Sequence, residues 1–275
     1  MNRIFSAMLA VLLIISLIGC GGRDKSDDKT ASVPSRPGYW SELKVSADAL
    51  CNKYVSADTK VRVSGIINDI NPIIDPSLSD FYYEYRRTES DSLTAIGIEG
   101  LPVLLSFCER ETASKGDPLY RSLLSGVCFA ICRTDIKEIE TTEELSSDEE
   151  RELTVKFYRY AKKRIAEIMA SDKSTAEKIS ELRHFGILSI PEVRTEIDKG
   201  NKGFEAYFTA IGLHLSVPEF MNFMADPNSE ETTDQRYDKI KVSEGSEGFD
   251  YKIWLGENEK VLDTFFKFMN EYSAE

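Results

Sequence analysis

Histidine is almost missing from this sequence, since the 275 residues include only His184 and His214. Neither neighbours a pair of cysteines, which excludes a zinc site of the usual Cys/His spacing. An H-E-x-x-H helix, a G-x-S-x-G turn and a glycine-rich phosphate loop are also missing. We therefore assign no catalytic residue, no metal site and no cofactor, and expect a protein that is not an enzyme.

Basic residues are scarce relative to acidic ones. The chain has 34 Lys and Arg against 47 Asp and Glu, which gives a net charge of −13. Such a chain repels nucleic-acid phosphates and anionic lipid headgroups. We exclude nucleic acid as a partner.

Long apolar runs are absent apart from one at the start of the chain. Ala7 to Gly19 is almost wholly apolar, follows Arg3, and is too short to span a bilayer. These features are typical of a signal peptide. A signal anchor with an incidental cysteine is the alternative.

The end of this run, Leu17-Ile18-Gly19-Cys20, resembles the lipobox of bacterial lipoproteins. The resemblance implies removal of residues 1–19, diacylglycerol on the Cys20 sulfur, and a further acyl chain such as palmitate on its amine. Two or more chains anchor a protein stably. We expect an extracytoplasmic protein held by lipid in the cell membrane or the outer membrane.

The residues after Cys20 are polar. Gly21 to Gly38 combines glycine, serine, proline and charge with almost nothing apolar, which is typical of a flexible tether. We therefore divide the mature chain into a lipidated tether over residues 20–38 and a helical, repeat-like domain over residues 39–275.

Four cysteines remain in that domain: Cys51, Cys108, Cys128 and Cys132. An exported protein can form disulfides. However, Cys128 and Cys132 lie four residues apart in an apolar stretch, so a helix places them on one face. We favour buried free thiols that act as small apolar groups, and disulfides are the alternative.

Apolar spacing predicts a mostly helical chain. Ser46 is a candidate N-cap for a helix that ends near Val55. Near residues 60–64 the pattern is ambiguous, because Val61 and Val63 alternate as in a strand; a helix is favoured and a short strand is the alternative. Further helices are expected over 119–139, 147–169 and 258–272.

An internal repeat, which we call the internal echo, predicts the architecture of the domain. Leu93 to Leu105, LTAIGIEGLPVLL, aligns without a gap on Leu182 to Arg194, LRHFGILSIPEVR, and a looser copy follows at Thr209 to Phe220. Each has a glycine and, five or six residues later, a proline. A glycine ends a helix well in a left-handed conformation, and proline is tolerated in the first turn of the next helix. Each copy predicts helix, tight turn, helix.

These joints resemble those of bacterial lipoproteins with HEAT-like repeats. Leu182 follows Leu93 by 89 residues, about twice the 40–47-residue HEAT period. The resemblance implies an all-α solenoid, or an irregular array of helical hairpins, and carries no catalytic residue. An ordinary helical domain with similar turns is the alternative.

Phe81 to Arg87, FYYEYRR, is the densest aromatic patch. Tyr82, Tyr85 and Arg86 form a candidate binding surface, because Tyr and Arg are enriched at interface hot spots; core packing is the alternative. We expect a binding or scaffold lipoprotein with a protein partner. An enzyme acting on peptidoglycan and an immunity-type lipoprotein are the alternatives.

Overall fold

The computed structural model describes residues 46–69, 91–114, 118–135, 155–224, 231–240 and 247–274. Within these ranges the chain is all-α and contains no strand, as expected. Cys20, the tether over 20–38 and the start of the domain at residue 39 lie outside them. The helices are α1 Ala47–Tyr54, α2 Ala57–Asp69, α3 Leu101–Ser114, α4 Pro118–Cys132, α5 Val155–Ala170, α6 Thr175–Leu182, α7 Ile190–Asp198, α8 Ala206–Ala210, α9 Val217–Met224, α10 Thr233–Ile240 and α11 Tyr251–Tyr272.

Helix α1 begins as predicted. The Ser46 hydroxyl accepts a hydrogen bond from the Ala49 N–H, so Ser46 is the N-cap. A second group comes from α3, where the buried carboxylate of Glu109 accepts from the Ala47 N–H at 2.7 Å. A negative charge at a helix N-terminus is favourable, which fixes how α1 sits on α3.

The short strand considered near residues 60–64 is wrong, because these residues lie inside α2. Val63 is fully buried and Ile67, four residues later, is 1 % exposed, whereas Val61 is 73 % exposed. A spacing of four places two side chains on one face of a helix. The apparent alternation of Val61 and Val63 was therefore only local.

The glycine–proline joints are confirmed. Gly97, Gly186 and Gly212 have φ of 71°, 53° and 67°. A short 3-10 segment bridges the first two joints, over Gly97–Gly100 and Arg183–Ser189. The proline lies in the first turn of the helix that follows in each copy, at Pro102 of α3, Pro191 of α7 and Pro218 of α9.

The last helix connects the two ends of the fold. α11 buries Leu262, Phe265 and Met269 and packs against α1, α3 and α5. In a solenoid each repeat contacts only its neighbours. Packing of the last helix on the first favours a more closed arrangement of hairpins, and the HEAT-like solenoid remains a prediction.

One hydrophobic core runs from Ala47 in α1 to Tyr272 in α11. A smaller cluster of Phe220, Tyr237 and Ile240 lies apart from it, between α9 and α10. Among the residues that can be described, no helix is both long and apolar enough to cross a membrane.

Candidate functional site: an arginine–aromatic junction

Helix α4 ends in a conformation that is unusual for a residue with a side chain. Arg133 has φ of 59° and is the one non-glycine residue with positive φ in the described ranges. Its N–H donates to the Ala130 carbonyl at 3.1 Å, and the Thr134 N–H donates to the Phe129 carbonyl at 3.0 Å. This pair of bonds is the Schellman motif, in which the residue just past the helix is left-handed.

Two other helices end in the same way, but with glycine. Gly200 follows α7 and Gly212 follows α8, each with the same pair of backbone hydrogen bonds. A residue with a Cβ in this conformation costs about 1–2 kcal/mol relative to glycine. Arginine at position 133 therefore needs a compensating role for its side chain.

That side chain is buried and joins three parts of the fold. Arg133 is 4 % exposed. Its Nη2 donates to the Leu215 carbonyl at 2.6 Å, and its guanidinium lies 4.3 Å from the centre of the Phe220 ring. Its Nη1 is buried and has no hydrogen-bond partner among the described atoms. The side chain thus holds α4 to the third joint and to α9 through a neutral carbonyl and a ring.

The second joint packs on the same residue from the other side. A Cβ built on Gly186 would overlap the Cys132 carbonyl oxygen and lie 2.5 Å from the Arg133 carbonyl carbon. The Asp135 N–H also donates to the His184 carbonyl at 2.9 Å. Two copies of the internal echo therefore converge on the end of α4.

A second buried arginine repeats the arrangement. Arg183 is 4 % exposed, and its guanidinium lies 4.7 Å from the centre of the Tyr237 ring. The His184 ring meets the same tyrosine edge-on at 6.3 Å between centres. Stacking a desolvated guanidinium on an aromatic ring contributes about 2 kcal/mol.

The α9–α10 pair, Val217–Met224 and Thr233–Ile240, meets the main body through these contacts and through packing of α9 on α4 and of α10 on α8. Phe220 and Tyr237 each stack with one arginine of the main body, while their own apolar cluster is separate from the main core. Gly212 adds close packing, because a Cβ there would lie 2.9 Å from the Phe220 ring. We call Arg133, Arg183, Phe220 and Tyr237 the arginine–aromatic junction.

Nearby carboxylates balance only part of the positive charge of the arginine–aromatic junction. Burial lowers the pKa of Arg133 to about 10, so the guanidinium stays positive at neutral pH. Glu219 is close enough to favour that charge, but its carboxylate is exposed and accepts from the Ser216 N–H at 2.9 Å. Burial also raises the pKa of the Tyr237 hydroxyl, which therefore remains neutral.

The predicted binding surface is a different set of residues. Tyr82, Tyr85 and Arg86 lie outside the described residues, as does the predicted lipidation site Cys20. The expectation of a surface rich in Tyr and Arg therefore stays a prediction for that segment. The junction has the same chemistry, but sequence reasoning missed it because Arg133, Arg183 and Tyr237 are distant in the chain.

The histidines contribute no positive charge at neutral pH. Burial, and then the neighbouring Arg183, lower the pKa of His184 to about 4. Burial and then Arg133 also lower the pKa of His214.

All four cysteines of the domain are buried, and none of them is in a disulfide. The Cys51 thiol donates to the Pro102 carbonyl at 2.9 Å, which ties α1 to the first joint. Burial raises the pKa of Cys132 well above its usual value. Its thiol is therefore protonated and a poor nucleophile.

A second polar cluster lies where α5, α7 and α11 meet. Asn270 Oδ1 accepts from Lys162 at 3.0 Å and from the Tyr158 hydroxyl at 3.4 Å. Glu192 interacts electrostatically with both Tyr158 and Lys162, and its Oε2 is buried without a hydrogen-bond partner among the described residues. Burial raises the pKa of Glu192, which favours its protonated form more than in an exposed glutamate.

Within the described part of the chain, no group of three or more His, Cys, Asp or Glu side chains is arranged to hold a metal ion. The chain matches no protein-family description, and neither a curated protein nor a solved structure is detectably similar to it. The functional argument therefore depends on the residues themselves.

Proposed function

We propose that this chain is a lipid-anchored extracytoplasmic protein that binds another protein as a scaffold or adaptor. The observation that carries the binding role is the arginine–aromatic junction. Arg and Tyr are enriched at interface hot spots, and here two arginines, one tyrosine and one phenylalanine meet, buried, at one place in the fold.

The anchor comes from Leu17 to Cys20. A tether of about 18 residues gives a root-mean-square reach of roughly 20–25 Å, which holds the domain near a bilayer without embedding it. The net charge of −13 keeps the domain off anionic headgroups. Protein partners in the envelope are therefore more accessible to it than lipid.

The anchor is tested by metabolic labelling with a palmitate analogue. We expect label on the unchanged chain and none on Cys20→Ser, with mass spectrometry placing Cys20 at the mature N-terminus. Label that persists in Cys20→Ser would contradict lipidation at this residue.

The partner is tested by photo-crosslinking in cells. A photoreactive amino acid is placed in turn at Val61 and Ile253, which are 73 % and 61 % exposed, and along residues 231–240. Each crosslinked protein is identified, purified and titrated against the purified chain. Saturable binding that Arg133→Gln weakens at least tenfold is expected, and the absence of any saturable partner would contradict the proposal.

A second candidate is an enzyme acting on peptidoglycan, and Glu192 is the specific observation that favours it. A carboxyl group with a raised pKa beside a lysine and a tyrosine can serve as a general acid. Release of soluble fragments from purified peptidoglycan, abolished by Glu192→Gln, would establish this activity. An immunity-type role is a further alternative, tested by toxin sensitivity of a deletion strain.

A further inference from the structure

Neutral groups of the same chain contact the Arg133 guanidinium and use only part of its hydrogen-bonding capacity. Its hydrogen bond goes to the Leu215 carbonyl at 2.6 Å, and its face is covered by Phe220. Its Nη1 is left without a partner among the described atoms, although it is buried. A carboxylate accepts two parallel hydrogen bonds from one guanidinium and would satisfy both nitrogens.

The two residues that contact the Arg133 guanidinium, Leu215 and Phe220, pack in an apolar cluster apart from the main core. Phe220, Tyr237 and Ile240 form their own apolar cluster, and Leu215, Phe223 and Met224 pack on it. Displacing α9–α10 breaks the two stacking contacts, the ring contact of Tyr237 with His184, and the packing of α10 on α8 and of α9 on α4, but leaves most of the main core from α1 to α11 in place. We expect this segment to open more readily than the helices of the main core, because the buried cluster that it contributes is small.

The surface beneath α9–α10 carries the buried arginines Arg133 and Arg183 and one carboxylate, that of Asp135. Tyr237 interacts electrostatically with all three, so cationic groups outnumber the carboxylate around it by two to one. A ligand with an aromatic ring could replace Phe220 on the guanidinium, and a neighbouring carboxylate could replace the Leu215 carbonyl.

We propose that α9–α10 is an intramolecular latch over a binding site for acidic, aromatic peptide segments, with Arg133 as the group that exchanges its internal partner for the ligand. This inference rests on the proposed protein-binding function and adds to it the chemistry of the partner and a means of regulation. A closed latch makes binding weak until a partner supplies the carboxylate that the internal occupant lacks.

The test uses the full-length chain in detergent and two fluorescein-labelled peptides, Glu-Glu-Phe-Glu-Glu and Gln-Gln-Phe-Gln-Gln. Phe220→Ala removes the internal ring and is expected to raise affinity for the glutamate peptide about tenfold. The glutamate peptide should bind at least tenfold more tightly than the glutamine peptide. Arg133→Gln, added to Phe220→Ala, should abolish that preference.

Hydrogen exchange measures the latch independently of the ligand. Phe220→Ala should speed exchange of the amides of residues 233–240 at least tenfold and leave residues 101–109 of α3 unchanged. Phe266→Ala is the matched control, because Phe266 is a partly buried phenylalanine on the main core. It should change neither α10 exchange nor peptide affinity.

The outcomes separate the latch from the wider function. Equal α10 exchange in Phe220→Ala and the unchanged chain would overturn the latch. Equal affinity for the two peptides, or no binding of either, would overturn the acidic, aromatic ligand. Neither result would contradict the proposed protein-binding function, because the crosslinking experiment tests that function without these peptides.

Discussion

Alanine substitution at three glycines of positive φ separates backbone conformation from close packing. Gly200 has φ of 97°, and a Cβ built there meets nothing within 4 Å in the described part of the chain. Gly200→Ala therefore costs only the left-handed conformation, about 1–2 kcal/mol. Gly212→Ala adds a contact with the Phe220 ring at 2.9 Å. A side chain can shift, so we expect about 2–3 kcal/mol in total.

Gly186→Ala is the severe member of the series. Its backbone, with φ of 53° and ψ of −134°, is a conformation that side-chain-bearing residues avoid. The new Cβ also overlaps backbone at the end of α4, which cannot move without breaking the Arg133 turn. We expect the free energy of unfolding to fall by more than about 4 kcal/mol, a loss that few single substitutions cause.

The assay is urea unfolding followed by far-UV circular dichroism, with free energies from linear extrapolation. Stability should fall in the order unchanged chain, Gly200→Ala, Gly212→Ala, Gly186→Ala. A Gly186→Ala chain that does not fold agrees with the order, and Gly212→Ala then supplies the measurable step. If Gly186→Ala and Gly200→Ala agree within about 1 kcal/mol, the close approach of the second joint to α4 is refuted.

Three further predictions concern the junction and the core. His184 has a pKa of about 4 in the folded chain and 6.5 as a free side chain, so the unfolded chain binds the proton first as the pH falls. The free energy of unfolding should therefore fall by up to about 3 kcal/mol between pH 6.5 and pH 4. Urea unfolding across this range should show the loss, and His184→Phe should make the free energy of unfolding nearly independent of pH there. Arg133→Gly and Arg133→Ala both remove the guanidinium, but only glycine adopts the positive φ at this position without strain. In urea unfolding, Arg133→Gly should therefore be more stable than Arg133→Ala by about 1 kcal/mol. Equal stability of the two variants would argue against the left-handed turn. The thiols of Cys51, Cys108, Cys128 and Cys132 should resist an aromatic disulfide reagent in the native chain and react in denaturant, whereas rapid native labelling would contradict their burial.

Local signals predicted local structure well. Ser46 as an N-cap, and glycine followed by proline at three joints, were readable because each depends on hydrogen bonds and sterics within a few residues. The end of α4 was not readable. Its apolar run predicts a helix to residue 139, whereas α4 ends at Cys132, because the left-handed residue there is an arginine and carries no stop signal.

The site needed contacts that no local pattern contains. Arg133 lies 82 residues before its hydrogen-bond partner Leu215, and Arg183 stacks on Tyr237 of a helix that the apolar spacing did not single out. The same limit applies to His184. The local sequence does not reveal the burial that, together with the neighbouring Arg183, keeps its imidazole neutral.

Contact between the first and last helices has a consequence for how the chain becomes folded. Lys53 and Tyr54 at the end of α1 both bond to Glu271, more than two hundred residues later. Because ribosomal synthesis delivers the N-terminus first, α1 can pack on α3 early, but its contact with α11 forms only after the last helix has been made. Contacts of such sequence separation slow folding. The domain therefore completes its fold only after its last helix has been synthesised.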